Sequence, residues 1–292
     1  MITVELGCEE AAGAGLVRQL HPLVLEEGLL DGTGEEGPNI GIVVDVETTG
    51  LDDEEDRVIE LALRRFRFTD QGVITHIGKP YCWLEDPGRP IPQDIQRLTK
   101  LTDDMVTGQA IDEALATKLL RSSSLVIAHN AGFDRRWVER RLSEAAGLPW
   151  ACSMVEIDWL AHGYDGRKLG HLLNQAGYYH TGHRASADVD AVIQLLRQKT
   201  REDRPLFAHL LETSAEPSWI VRAVGAAFAV KDVLRRRGYR WDPKLKVWWR
   251  EIPDKDRQAE EWWLASNVYG LDCHAKALGP DLISVSAMSR FT

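Results

Sequence analysis

Positions 40–46 read Ile-Gly-Ile-Val-Val-Asp-Val, apolar at nearly every step. A short continuous run of this kind predicts a strand buried on both faces of a sheet. Asp45 and Glu47 lie two apart, so on that strand they project from one face while Val46 turns to the other. Residues 58–68 alternate and include β-branched and aromatic side chains, and 73–83 continue after the turn signal Asp70-Gln71-Gly72. Three successive strands predict an antiparallel meander. A proline-rich stretch, 87–92, ends it, and helical spacing follows near 94–98, 102–106 and 111–121. Residues 125–128 form a short buried strand that leads into a helix over about 133–146. Further helices are expected near 168–176 and 187–199. The order predicts an α/β fold, a mixed central sheet with an antiparallel meander flanked by helices.

The flanks read differently. Residues 1–38 form an acidic extension with a weak helical stretch at 16–30 and a loop at 31–38. After 201–205 the composition shifts. A helix at 206–213 is followed by one at 230–237, stopped by Gly238, a hairpin over 239–250 turning at Asp242-Pro243, and a helix at 259–267. The expected layout is an extension (1–38), a main domain (39–202) and a small α+β C-terminal domain (203–292).

The 292 residues are 44% apolar and 27% charged, a soluble composition with no membrane-length apolar run. Met1 to Leu6 lacks a signal-peptide pattern. Cys8, Cys82, Cys152 and Cys273 are widely spaced, which excludes a zinc ribbon and fits a reduced, cytoplasmic protein. The net charge of −10 is unevenly distributed. Residues 1–60 carry 16 acids against 2 basic residues, and 221–250 carry 9 basic residues against 2 acids. A local basic patch can attract a polyanion whatever the total charge.

Three blocks carry candidate chemistry: Asp45-Val46-Glu47-Thr48-Thr49-Gly50, His129-Asn130-Ala131-Gly132-Phe133-Asp134 and His183-Arg184-Ala185-Ser186-Ala187-Asp188. Singly, each has a plain reading. Asp134 in a first helical turn favours the helix dipole, and Asp188 could be a surface acid. Jointly, four carboxylates on one spot repel unless cations lie between them. Carboxylate and water ligands suit Mg²⁺ or Mn²⁺, and His183 supplies a base titrating near neutrality. The set reads as a two-metal phosphodiesterase site.

These blocks, in this order and spacing, resemble the DEDDh group of 3′–5′ exonucleases, in particular the epsilon-type proofreading subunits of bacterial DNA polymerase III and their stand-alone relatives. The resemblance covers about 40–199 and implies an RNase H-like exonuclease fold. It includes the segments 98–102 and 150–154; Lys100 stands where many relatives have glycine. It implies that Asp45, Glu47 and Asp188 bind the first of two divalent ions, with Asp45 bridging to the second. Asp134 would act through water, and His183 would deprotonate the attacking water. Thr48, Thr49, Leu51, His129, Asn130 and Phe133 would line the terminal nucleotide pocket. The expected partner is nucleic acid, with a single-stranded DNA 3′ end favoured, and a polymerase or repair partner is possible. RNA trimming, or a non-catalytic nucleic-acid-binding subunit, are the alternatives. In the tail, Arg235, Arg237 and Lys246 among tryptophans are candidate guides for a single strand, against the reading that the tryptophans are core.

Overall fold

The computed structural model describes residues 2–5, 17–30, 34, 36–52, 54–180, 184–270 and 273–292, with backbone alone for 2–5, 17 and 18. The strands are β1 (Ile2–Glu5), β2 (Val17–Pro22), β3 (Gly28–Leu29), β4 (Asn39–Thr48), β5 (Val58–Phe68), β6 (Ile74–Leu84), β7 (Leu125–Ala128), β8 (Trp150–Cys152), β9 (Tyr178–Tyr179), β10 (Ser218–Ala223), β11 (Arg240–Asp242), β12 (Val247–Pro253) and β13 (Asp281–Val285). The α-helices are α1 (Gln93–Thr99), α2 (Asp103–Val106), α3 (Glu113–Arg121), α4 (Ala131–Arg141), α5 (Leu169–Gln175), α6 (Ala185–Leu196), α7 (Leu206–Ala215), α8 (Lys231–Arg237) and α9 (Arg257–Asn267).

The central sheet has the order β3-β6-β5-β4-β7-β8. β6, β5 and β4 pair antiparallel, forming the expected meander, while β7 and β8 add in parallel beside β4. β4 lies inside this sheet, which is why its apolar run is continuous. Ile42, Val44 and Val46 pack with α3 and α4 on one face; Val43 packs with α5, α6 and α7 on the other. The two acids of β4 therefore emerge on the α6 face.

Two sequence expectations change. Residues 17–22 and 28–29 are strands, not helix: β2 pairs with β1 and with β9, and β3 pairs with the edge of β6. Pro22 cannot donate a helical hydrogen bond and Gly28 has φ 130°, so no helix can run through both. The chain also divides into compact units at Ser214/Ala215 rather than at 202/203. The reason is α7, whose Leu206, Phe207 and Leu210 are fully buried in the α6-side core.

Lys100 occupies the left-handed C-cap of α1 at φ 62°, donating its N–H to the Gln96 carbonyl. That conformation explains why glycine is the expected residue at this position.

The second unit, 215–290, is a four-stranded antiparallel sheet of order β11-β12-β10-β13. The hairpin β11–β12 and both helices were legible; β10 and β13 were not. Helices α8 and α9 cover one face, packing Leu234 and Leu264 against Val221, Ala223 and Ile252. Among the described residues no helix is long and apolar enough to cross a membrane.

Candidate active site

Asp45 and Glu47 stand on β4, and Asp188 in the first turn of α6; one carboxylate oxygen from each lies within 4.8 Å of the others. The helix is seated by Val189, Val192, Ile193 and Leu196, which share a core with Val43 and Ala62 of the sheet. Its N-terminus is held by Glu60, which faces Glu47 across the β4–β5 ladder. The fully buried Glu60 carboxylate accepts from the Ala185 N–H at 2.9 Å and from Arg184 Nη2 at 2.7 Å. Glu60 carries no mark of this role in the sequence, because an acid inside a strand gives no local sign of a partner 124 positions on.

Asp134 reaches the same place from the other side of the sheet. β7 ends at Ala128, so beyond Val43 the β4 backbone has no parallel neighbour. Asp134 Oδ1 accepts the freed Val46 N–H at 3.3 Å. The turn that brings it there passes through Asn130 at φ 111°, a left-handed conformation that asparagine tolerates better than most residues.

Electrostatics follow from crowding. Burial, then the charges of Asp134, Asp188 and Glu47, raise the Asp45 carboxyl well above its usual range. Burial, then Asp188, Glu60 and Asp134, push Glu47 up to about 8. Burial also lifts Asp134 to about 7, against the Val46 hydrogen bond. Asp45, Glu47 and Asp188 offer hard carboxylate oxygens to one point, and it is when they are ionised together that their mutual repulsion suits a divalent cation between them. The donor set thus fits a divalent metal.

His183 lies outside the described residues. His180, which the sequence analysis did not single out, has Nε2 at 2.7 Å from Asp188 Oδ1. Burial lowers its basicity, but the hydrogen bond and charge of Asp188 outweigh this and raise it overall. Its only sequence signal is its position in the segment leading to α6.

The expected nucleotide-pocket residues separate into two kinds. His129 is fixed at both ring nitrogens, with Nδ1 2.9 Å from Ser153 Oγ and Nε2 2.7 Å from the Arg167 carbonyl. Burial holds it below its usual basicity, so the neutral ring with its proton on Nε2 satisfies both contacts. Thr48 Oγ1 donates to the Gly50 carbonyl. Thr49 Oγ1 is tied to Asp56, to the Arg57 N–H and to Arg89. A Cβ on Gly50 would collide with the Asp56 carboxylate, so the glycine makes room for that acid. These residues shape the loop. Leu51, by contrast, is 77% exposed, and its carbonyl accepts from Arg136, whose guanidinium lies over the Phe133 ring at 5.4 Å. Arg136 is a cation beside the expected pocket that the sequence analysis missed; nothing local distinguishes it from the three other arginines on α4.

Residues 42–196 match the model of the RNase T-type family described as "Exonuclease". The chain belongs to the Exonuclease family. It is a 3′–5′ exonuclease, and the family domain contains every acid assembled above. Relatives include the DNA polymerase III subunit epsilon of Treponema pallidum (strain Nichols), 27% identical over 60% of this chain and 82% of that protein. The DNA polymerase III subunit epsilon of Aquifex aeolicus is likewise 27% identical, over 59% and 83%. Among solved structures, Exonuclease X in complex with 5′ overhanging duplex DNA is 24% identical, covering 57% of this chain and 99% of that one, with a TM-score of 0.43.

Arg235, Arg237 and Lys246 all belong to the second unit. Arg237 makes a two-pronged contact with the buried Glu260, at 2.8 and 3.1 Å, and Glu260 also accepts from the Tyr239 hydroxyl. Arg235 and Lys246 are exposed.

Proposed function

We propose that this exonuclease removes nucleoside monophosphates from single-stranded or frayed 3′ ends of DNA, using two divalent ions, Mg²⁺ or Mn²⁺. The observation that carries the reading is the convergence of Asp45, Glu47 and Asp188 within 4.8 Å, with the Asp134 carboxylate beside them. Asp45, Glu47 and Asp188 would hold the ions, and Asp134 would orient water between itself and them. Bound there, the ions lower the pKa of water and neutralise charge on the leaving oxygen. His183 takes the proton of the attacking water; the new P–O bond forms as the bond to the 3′ oxygen of the penultimate nucleotide breaks. His180 and Glu60 keep Asp188 in position. Leu51 and Phe133, joined through Arg136, offer an apolar edge for the terminal base. Relatives that are subunits of a DNA polymerase support association with a polymerase as the second part of the reading.

The test is product analysis on oligonucleotides labelled at the 3′ or the 5′ end: single-stranded DNA, duplex DNA and RNA, each with Mg²⁺, Mn²⁺ or EDTA. The expected result is 3′-end release of mononucleotides from DNA, abolished by EDTA and by Asp45→Ala. Cleavage that persists in EDTA, or RNA degraded in preference to DNA, overturns it.

A further inference from the structure

On the second unit, Trp241 of the edge strand β11 stands directly opposite Trp248 of β12. The two rings are 5.6 Å apart and inclined at 60°. Trp248 is half-buried, packed with the core under α8 and α9, and the Arg235 guanidinium lies 5.9 Å from its ring centre. Trp241 lies one strand further out and remains 49% exposed. Trp248 thus braces an indole whose own surface is left for another partner.

The surrounding charge is of one sign. Arg236, Arg240, Lys244 and Lys246 are exposed, and among the described residues none makes an ion pair. Of the two acids between 231 and 250, Asp232 faces Arg235 at 3.1 Å. Asp242 is used by the turn, accepting from the N–H groups of Lys244 and Leu245. Arg237 and Arg250 are drawn inward to Glu260 and are not part of this surface.

We infer that the β11–β12 hairpin, with Trp241 as its platform and the exposed cations Arg240, Lys244 and Lys246 of the same hairpin and Arg236 of α8 as its charge, is a second binding site for single-stranded nucleic acid. A flat, exposed, braced indole stacks any base, and four uncompensated cations track phosphates without reading sequence. This combination fits a single strand better than a duplex, whose bases are already stacked. The inference does not depend on the chemistry assigned to the acids of the first unit.

The experiment uses the full chain in EDTA and follows fluorescence anisotropy of labelled oligo(dT) and of a blunt duplex across a salt series. Trp241→Ala should weaken oligo(dT) binding about tenfold and leave the salt slope unchanged, since stacking is not ionic. The triple variant R240Q/K244Q/K246Q should weaken binding and flatten the slope of log K against log salt by about 2, at roughly 0.7 per lost phosphate contact. With Mg²⁺ present, both variants should hydrolyse the p-nitrophenyl ester of thymidine 5′-monophosphate at the wild-type rate, because a mononucleotide ester is too short to span two sites. If wild type fails on that ester, the active-site reading fails while the binding result still decides this one. Unchanged oligo(dT) affinity and slope in both variants overturn the inference. So does a blunt duplex bound as tightly as oligo(dT) and indifferent to Trp241→Ala.

Discussion

Glu60 and Arg184 form an ion pair with unequal ends: the Glu60 side chain has no solvent exposure, whereas that of Arg184 is 36% exposed. Removing either end therefore has different consequences. Among the described residues, Arg184→Ala leaves a buried carboxylate with the Ala185 N–H and the Cys82 thiol as its partners, and it should destabilise the fold by about 3 kcal/mol or more. Glu60→Gln leaves an arginine that water can reach and should be milder. Because both loosen the start of α6, both should lower kcat about ten- to a hundredfold through a shifted Asp188. Urea denaturation beside steady-state kinetics separates the two effects.

Stability should fall with rising pH when metal is withheld. Glu47 is lifted to about 8 and Asp134 to about 7, both above their unfolded values of 4.5 and 3.8. Between about pH 4 and 8 the folded chain therefore holds protons that the unfolded chain has released. The slope of stability with pH is negative in that window. The contribution of these two groups is fully present below the unfolded values and is lost as pH rises through the folded ones. Denaturation midpoints in EDTA at pH 5, 6, 7 and 8 measure it. Saturating Mg²⁺ should flatten the trend, because a cation replaces the protons.

Asp45→Asn should separate stability from function. It removes a carboxyl that the fold must either keep protonated or hold as a repelled anion, so the metal-free protein should gain about 1 kcal/mol or more near neutral pH. The same change should lower 3′-end hydrolysis about a thousandfold by removing a carboxylate ligand. A thermal melt in EDTA and an end-label assay on one preparation check both.

The two histidines ahead of α6 should differ in kind. His183→Ala should lower kcat by about 10²–10⁴, the range of a general base. His180→Ala should act through Asp188, raising the Mg²⁺ concentration needed for half-maximal rate more than it lowers the rate at saturating metal. Metal titrations of both variants distinguish the roles.

Lys100→Gly should stabilise the protein by about 1 kcal/mol, because lysine at φ 62° bears a left-handed strain that glycine lacks. The gain should show in the urea midpoint with no change in kcat.

The meander, β7 and α6 were legible because each carries its own period or apolar run. Asp45, Glu47, Asp134 and Asp188 were singled out by their three blocks and the family resemblance that these carry, and folding brings the four together. β3, β8 and β9 were not legible, since strands of two or three residues exist only through their neighbours in the sheet. Glu60 and Glu260 were hidden for a related reason: their significance lies in arginines that folding brings to them. Nothing in the sequence around Thr49, expected to line the nucleotide pocket, announces that its hydroxyl is hydrogen-bonded to Asp56, Arg57 and Arg89.

The passage from Ala128 to Ala131 has only two residues, His129 and Asn130, to reverse the chain. With the helix start held where β7 delivers it, one extra residue ahead of Asp134 would set that side chain about 100° further around the axis of α4 and carry it away from Val46. The length of this joint is therefore under the same selection as the acid it presents. Variation in chain length among relatives should accumulate elsewhere, in exposed bends such as 107–110, where an added residue rotates nothing that the reaction needs.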